Sequence, residues 1–253
     1  MDTTPSQAFL NLLTQISQQT PYEQINAIVD FSNQLTDEQC MQLLGNDAEV
    51  MHHSPRLTQV YYDYIIQMET VEIQRLLADT GTLYTSFRET ASPAAMMAYD
   101  RVADIFDNLE LNGKTVVMVG CGQLPVTAIH LCEESQIKKV YALDISAQAI
   151  DVVHQLQAKF GWSNLEAQFC NGNSYDYSEA DIVYIANMVR PKAEVIAQVL
   201  KTARADAEII IREPYALGKL WADCAEDTLD ARLSVRSYGP GSRYLSRDAF
   251  IQR

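Results

Sequence analysis

A doubly wound α/β sheet preceded by an all-helical portion is the fold this sequence predicts, and three observations carry that reading. Before residue 110 there are only two glycines, Gly45 and Gly81, and apolar residues recur at helical spacing, as in Phe9, Leu10, Leu12, Leu13 and Ile16. After Gly113 the texture changes to short β-branched runs alternating with helical stretches, the rhythm of a sheet wound with helices. Within that second part, Thr115 to Pro125 runs from a β-branched segment into a Gly-x-Gly turn, and Tyr141-Ala142-Leu143-Asp144 follows. The chain therefore divides into a helical portion, 1–109, and a sheet-bearing portion, 110–253.

In chain order, Thr36-Asp37-Glu38-Gln39 has the form of a capping box, with Thr36 as N-cap and Gln39 three residues on, and Gly45 is the expected stop. Ser54-Pro55 opens a long helix expected to run through Tyr61, Tyr64, Ile65, Met68, Val71, Leu76 and Leu77 to about Gly81. Residues 82–93 read as a loop ending in Ser92-Pro93, and a helix from about Ala94 to Leu109 leads into the sheet. Strands are expected near 115–119, 139–143, 165–170, 181–186 and 207–212. A closing antiparallel hairpin follows, Ala231 to Tyr238 and Arg243 to Ile251 around Gly239-Pro240-Gly241.

Composition narrows the function. With 253 residues and 47% hydrophobic content the chain can bury a full core. No apolar run reaches the ~18 residues of a membrane span, and Met1-Asp2-Thr3-Thr4-Pro5 lacks the order of a signal peptide, so the chain reads as cytoplasmic. Five cysteines, 40, 121, 132, 170 and 224, never fall in a Cys-x-x-Cys pattern, which fits reduced thiols better than a disulfide or zinc framework. The histidines His52, His53, His130 and His154 show no ligand spacing. Residues 1–110 hold 16 acidic against 4 basic residues, and 111–253 hold 17 against 15. Nucleic acid is therefore an unfavourable partner, and the acidic half reads as a solvated helical surface. A small-molecule substrate fits better, with self-association left open.

The turn carries the chemistry. Gly120 and Gly122 allow the backbone to leave a strand sharply and approach a ligand without a Cβ clash. Asp144 lies 22 residues past Gly122, where a strand-end carboxylate accepts hydrogen bonds from a ribose diol. A lone Gly-x-Gly is also an ordinary tight turn, but the spacing to Asp144 favours a nucleoside. A dinucleotide fingerprint calls for a third glycine where this chain has Pro125. Pyrophosphate is disfavoured on that ground, and S-adenosylmethionine (SAM) is the better candidate.

With seven strands and a terminal hairpin, the second portion resembles the Rossmann-like class I SAM-dependent methyltransferases. A closer resemblance rests on the turn Gly120-Cys121-Gly122-Gln123-Leu124-Pro125-Val126-Thr127, the helix centred on Tyr99, and Ala180-Asp181-Ile182-Val183-Tyr184-Ile185-Ala186-Asn187. Over roughly 94–211 these resemble the nicotianamine synthases and their bacterial opine-metallophore relatives. That resemblance implies transfer of the 3-amino-3-carboxypropyl arm of SAM with release of 5′-methylthioadenosine (MTA). It also brings into view the azetidine-2-carboxylate synthases, which close the same arm on its own amine. An amine attacking the γ-carbon must first lose a proton, so a carboxylate, a tyrosine or an ordered water has to receive it.

The resemblance implies a set of site residues. Val119, Gly120 and Gly122 would line the amino-acid and ribose side, Asp144 would hold the ribose, Ile145 would lie against the adenine and Asn173 would receive its amino group. Asn187 would orient the reacting arm, Tyr99 and Glu72, or Glu69 one turn earlier, would act from the helical portion, and Tyr175 would cover the sulfonium. Ordinary turn chemistry for the asparagines, a solvated face for the glutamates and core packing for the tyrosines stand as alternatives. The chain departs from the metallophore synthases at Arg212-Glu213-Pro214-Tyr215, where they carry a Ser- and His-containing segment near the acceptor. A cyclase needs no acceptor, so cyclisation is the first expectation and transfer the second. A small-molecule methyltransferase and a catalytically silent SAM-binding protein remain as other readings.

Overall fold

The computed structural model describes residues 4–253 apart from 79–82, 85, 107–108, 135, 227–228, 230, 240 and 243. Gly81, Pro240 and Arg243, which figure in the expectations above, lie outside the described residues. The chain begins with α1 (Pro5–Ile16), α2 (Pro21–Ser32), α3 (Asp37–Asn46), α4 (Ala48–His52), the long α5 (Ser54–Leu77), the short α6 (Phe87–Thr90) and α7 (Pro93–Phe106). Thr36 caps α3 through the expected box, and a second box, Thr20 with Glu23, caps α2. Gly45 does not end its helix: α3 runs through it to Asn46, and Asp47 then caps α4 with its own carboxylate. Residues 82–93 are not wholly loop, because α6 lies among them.

The sheet portion follows the predicted order: β1 (Thr115–Val119), α8 (Val126–Glu134), β2 (Lys139–Asp144), α9 (Ala147–Phe160), β3 (Leu165–Phe169), β4 (Ile182–Ile185), α10 (Lys192–Thr202) and β5 (Glu208–Pro214). A 3-10 turn over Ala216–Leu220 precedes β6 (Ser234–Tyr238) and β7 (Ser246–Gln252). The seven strands pair in the order β3-β2-β1-β4-β5-β7-β6; β7 is antiparallel to both neighbours, while β1 to β5 are parallel. The connections reverse direction between β1 and β4, which opens a crevice at the carboxyl ends of those strands. The second hairpin strand starts later than predicted because the chain turns at Leu245, in a left-handed conformation (φ 58°), while Leu245 accepts a hydrogen bond from the Tyr215 amide.

Three apolar cores organise the molecule. On one sheet face α7, α8 and α9 pack on Val116, Met118, Val140 and Tyr184; on the other, α10 packs on Val117, Val119, Val183 and Ile211. The third core fills the helical portion, but residues from beyond β5 complete it: Leu217, Leu220, Trp221 and Leu245 lie among Phe9, Ile25, Leu57, Tyr61 and Tyr64. The two portions therefore share cores, and α5 is carried across the crevice. Gln123 fastens it there, donating from Nε2 to the Ile66 carbonyl (3.3 Å) and to Thr70 Oγ1 (3.0 Å).

Candidate active site

The floor of the crevice is the turn after β1. Gly120 (φ 76°) and Gly122 (φ 67°) both occupy the left-handed region, and a Cβ on Gly120 would lie 2.5 Å from Val189 Cγ2. Asp144 at the end of β2 is oriented by two backbone donors: Gly122 N–H to Oδ2 (2.8 Å) and Ser146 N–H to Oδ1 (2.9 Å). An ionised carboxylate offers about four acceptor positions, so roughly two remain for a diol. Ile145 beside it is 67% exposed, and Phe169, paired with Asp144 at the end of β3, is 66% exposed. These two apolar faces flank the edge where a base would lie. Phe169 was not singled out from sequence; an aromatic ending a strand beside the ribose acid was the available signal.

Asn173 donates from Nδ2 to Glu194 Oε2 (2.8 Å), so its amide oxygen is the atom that can accept from a ligand. Val119 differs from expectation. Its side chain is buried in the core on the α10 face, where its Cγ1 closes against Gly172, so only its backbone lies at the turn.

Above the turn sits Glu69 of α5. Its carboxylate oxygens lie 3.4 and 3.6 Å from the position of a Cβ on Gly122, and Oε2 is buried without a hydrogen-bond partner among the described residues. Burial pushes the Glu69 carboxyl up to about 8; the Asp144 charge adds to this, and the backbone amides of Gln123 and Leu124 offset only part of it. Glu72, the carboxylate named first from sequence, is committed elsewhere. It is ion-paired with Arg75 and accepts from the Ser92 amide (3.0 Å), bonds that hold its carboxyl below the usual range against the opposing effect of burial. Of the two glutamates, Glu69 is the one brought to the crevice.

Tyr99 and Tyr175 are also placed away from it. Tyr99 is fully buried between α7 and α8, its ring edge-on to His130 and its hydroxyl 3.1 Å from both Glu133 and Glu134. Those carboxylates end α8, roughly 10 Å along the helix from the turn. Tyr175 is half-buried and packs edge-on to Tyr177 against the core on the α10 face, near Tyr141 and Cys170. The Tyr99 ring lies within a core and the Tyr175 ring against one.

Asn187 does reach the crevice. It follows β4, is 7% exposed, and neither Oδ1 nor Nδ2 has a hydrogen-bond partner among the described residues. Its amide lies beside the Tyr61 hydroxyl, close enough to ease ionisation of that phenol, which burial pushes up to about 12. Tyr61 in turn stacks on Trp221 (centroids 5.0 Å apart, planes 17°), and Tyr64 meets Tyr244. The departing segment, which forms the end of β5, is structural: Arg212 bonds Ser246 and Asp248, while Glu213 accepts from the Ala225 amide and pairs with buried Lys192. No grouping of three or more metal-ligating side chains occurs among the described residues, and no described helix is long and apolar enough to cross a membrane.

No protein-family model matches the chain, and no curated protein matches it. Solved structures define the fold class: a SAM-dependent methyltransferase from Aquifex aeolicus superposes with a TM-score of 0.50 at 16% identity, over 63% of this chain and 93% of that one. More of the chain is accounted for by MtNAS, a nicotianamine synthase. A glutamate-to-glutamine mutant of MtNAS in complex with S-adenosylmethionine matches with a TM-score of 0.81 at 14% identity, covering 98% of this chain and 97% of that one. MtNAS in complex with MTA and tNA matches at 0.77 and 14% identity, over 98% and 95%. The chain has the Rossmann-like methyltransferase fold with a helical N-terminal portion.

Proposed function

We propose that the protein consumes SAM by attack at the γ-carbon of the aminocarboxypropyl arm, releasing MTA, and that the nucleophile is the arm's own α-amine. The observation that carries this reading is Glu69: a buried carboxylate with an unpartnered oxygen, facing the glycine turn and raised to about 8. An acceptor of that basicity is matched to an α-ammonium group at neutral to mildly alkaline pH. Asp144 holds the ribose, Ile145 and Phe169 flank the adenine, and the Asn173 oxygen receives its amino group. Asn187 orients the arm.

The reaction balances within one molecule of SAM. Glu69 takes one proton from the α-ammonium, the freed lone pair forms the N–Cγ bond, and the Cγ–S bond breaks with its electron pair retained by sulfur. MTA departs as a neutral thioether, and the four-membered ring remains as azetidine-2-carboxylate. Two features support cyclisation over transfer. Tyr61, whose hydroxyl adjoins the Asn187 amide, stacks on Trp221, and the Arg212–Tyr215 segment is bound into the core. An internal nucleophile also reacts at a far higher effective concentration than a separate acceptor. Transfer to an amino-acid acceptor is the second reading, favoured by the near-complete superposition on MtNAS, one structure of which holds MTA and tNA.

Glu69→Gln tests the role of the base while keeping the side-chain shape. MTA formation should fall by roughly 10²–10⁴-fold, with SAM affinity by calorimetry changed only a few-fold. Retained turnover would remove Glu69 from the reaction.

A further inference from the structure

Arg101 has no place in the chemistry so far. In a helix two residues lie about 200° apart, so with Tyr99 turned to α8, Arg101 is on the other side of α7. There its charge acts on the phenols of Tyr61 from α5 and Tyr184 from β4 and on the carboxylate of Asp248 from β7. Asp248 already has its partners, accepting from the Tyr184 hydroxyl (2.8 Å) and from Arg212 (3.4 Å). Arg101 Nε is buried without a hydrogen-bond partner among the described residues, as are both amide atoms of Asn187 and the indole nitrogen of Trp221.

A desolvated guanidinium edge and an amide left unpartnered are costly unless something completes them. Geometry sets them on one side: Phe106 of α7 packs on Tyr184 of β4 (ring centroids 6.0 Å apart), three residues before Asn187, and the Arg101 charge and the Asn187 amide both act on the Tyr61 hydroxyl. A planar cationic fork together with an amide donor matches a carboxylate, which accepts two hydrogen bonds from the fork and another from the amide. We infer that Arg101 and Asn187 form a carboxylate subsite that seats the α-carboxylate of an amino acid. The inference rests on the proposed site and deepens it. The carboxylate has two sources, the arm of SAM itself or a second amino acid.

Calorimetry with SAM and with MTA, which lacks the arm, separates them. Arg101→Gln should weaken SAM by roughly 10- to 100-fold and leave MTA within about two-fold, with Arg101→Lys intermediate because it restores charge without the fork. That pattern assigns the subsite to the arm of SAM. If SAM and MTA affinities both hold, and MTA release depends on one of the twenty proteinogenic amino acids with a KM that Arg101→Gln raises, the subsite takes the second amino acid. Equal losses for SAM and MTA, or no change with any of these ligands, would overturn the subsite and leave Arg101 structural. Unliganded melting curves of both variants identify a folding defect. Release of S-adenosylhomocysteine alone from the unmodified protein would refute attack at the γ-carbon, while the SAM-to-MTA comparison would still decide the subsite.

Discussion

Glu69 and Glu72 differ by less than one turn of α5, and their surroundings assign them opposite chemistry. Glu72 has Arg75 three residues on, a spacing that pairs side chains along a helix. Glu69 has Ile65, Ile66 and Ile73 three or four residues away and another carboxylate, Glu72, at the position equivalent to Arg75, so nothing on its own helix neutralises it. That contrast was legible in the sequence and identifies the carboxylate left for the site; which helix face meets the crevice was not, because tertiary packing decides it. A base titrating near 8 gives a turnover that rises with pH and levels off above that value, a dependence that Glu69→Gln abolishes in steady-state kinetics. The same shift acts on stability. Because the folded-state value lies above the unfolded one, the native state holds the extra proton between about 4.5 and 8, and stability falls as pH rises through that window. Denaturant melts at pH 5 and pH 8 should therefore show a smaller pH-dependent loss in Glu69→Gln than in the unmodified protein.

Among the elements, the turn after β1 was the most readable, because only glycine fits its backbone: a left-handed φ at Gly120 coincides with Val189 against the missing Cβ. Gly120→Ala should cost at least roughly 1–2 kcal/mol, a fall in Tm of about 2–8 °C for a chain of this size, with a further loss from the clash. An unchanged calorimetric Tm would contradict that backbone. Strands β1, β4 and β5 were legible as apolar runs of buried parallel strands, and the edge strand β3 by the alternation of Leu165 and Ala167 with Glu166 and Gln168. The end of α3 was misread at Gly45 because the stop came from Asp47 capping the next helix, which competes with a glycine signal. Tyr99 was legible on the helix before the sheet and Tyr175 in the connection after β3; whether a ring enters a core or a crevice depends on contacts from other elements.

At the scale of the molecule, the division near residue 110 describes texture better than cores. The helical portion is completed by Leu217, Leu220, Trp221 and Leu245, and one sheet face is covered by α7. Residues 110–253 alone should consequently expose apolar surface, bind a hydrophobic dye and lose the cooperative melt of the whole chain. A sharp transition for that piece would show the shared cores to be dispensable. The fold class was readable from rhythm and spacing, whereas placing α5 over the turn required contacts between residues some 50 apart, such as Gln123 with Thr70.

The central claim is that the amine attacking the γ-carbon belongs to the same SAM molecule, and the most direct test is mass spectrometry of small molecules formed from the purified protein and SAM alone. The account predicts MTA and azetidine-2-carboxylate in equal amounts. MTA formed only after an amino acid is added would contradict cyclisation and leave transfer, and S-adenosylhomocysteine in place of MTA would contradict attack at the γ-carbon altogether.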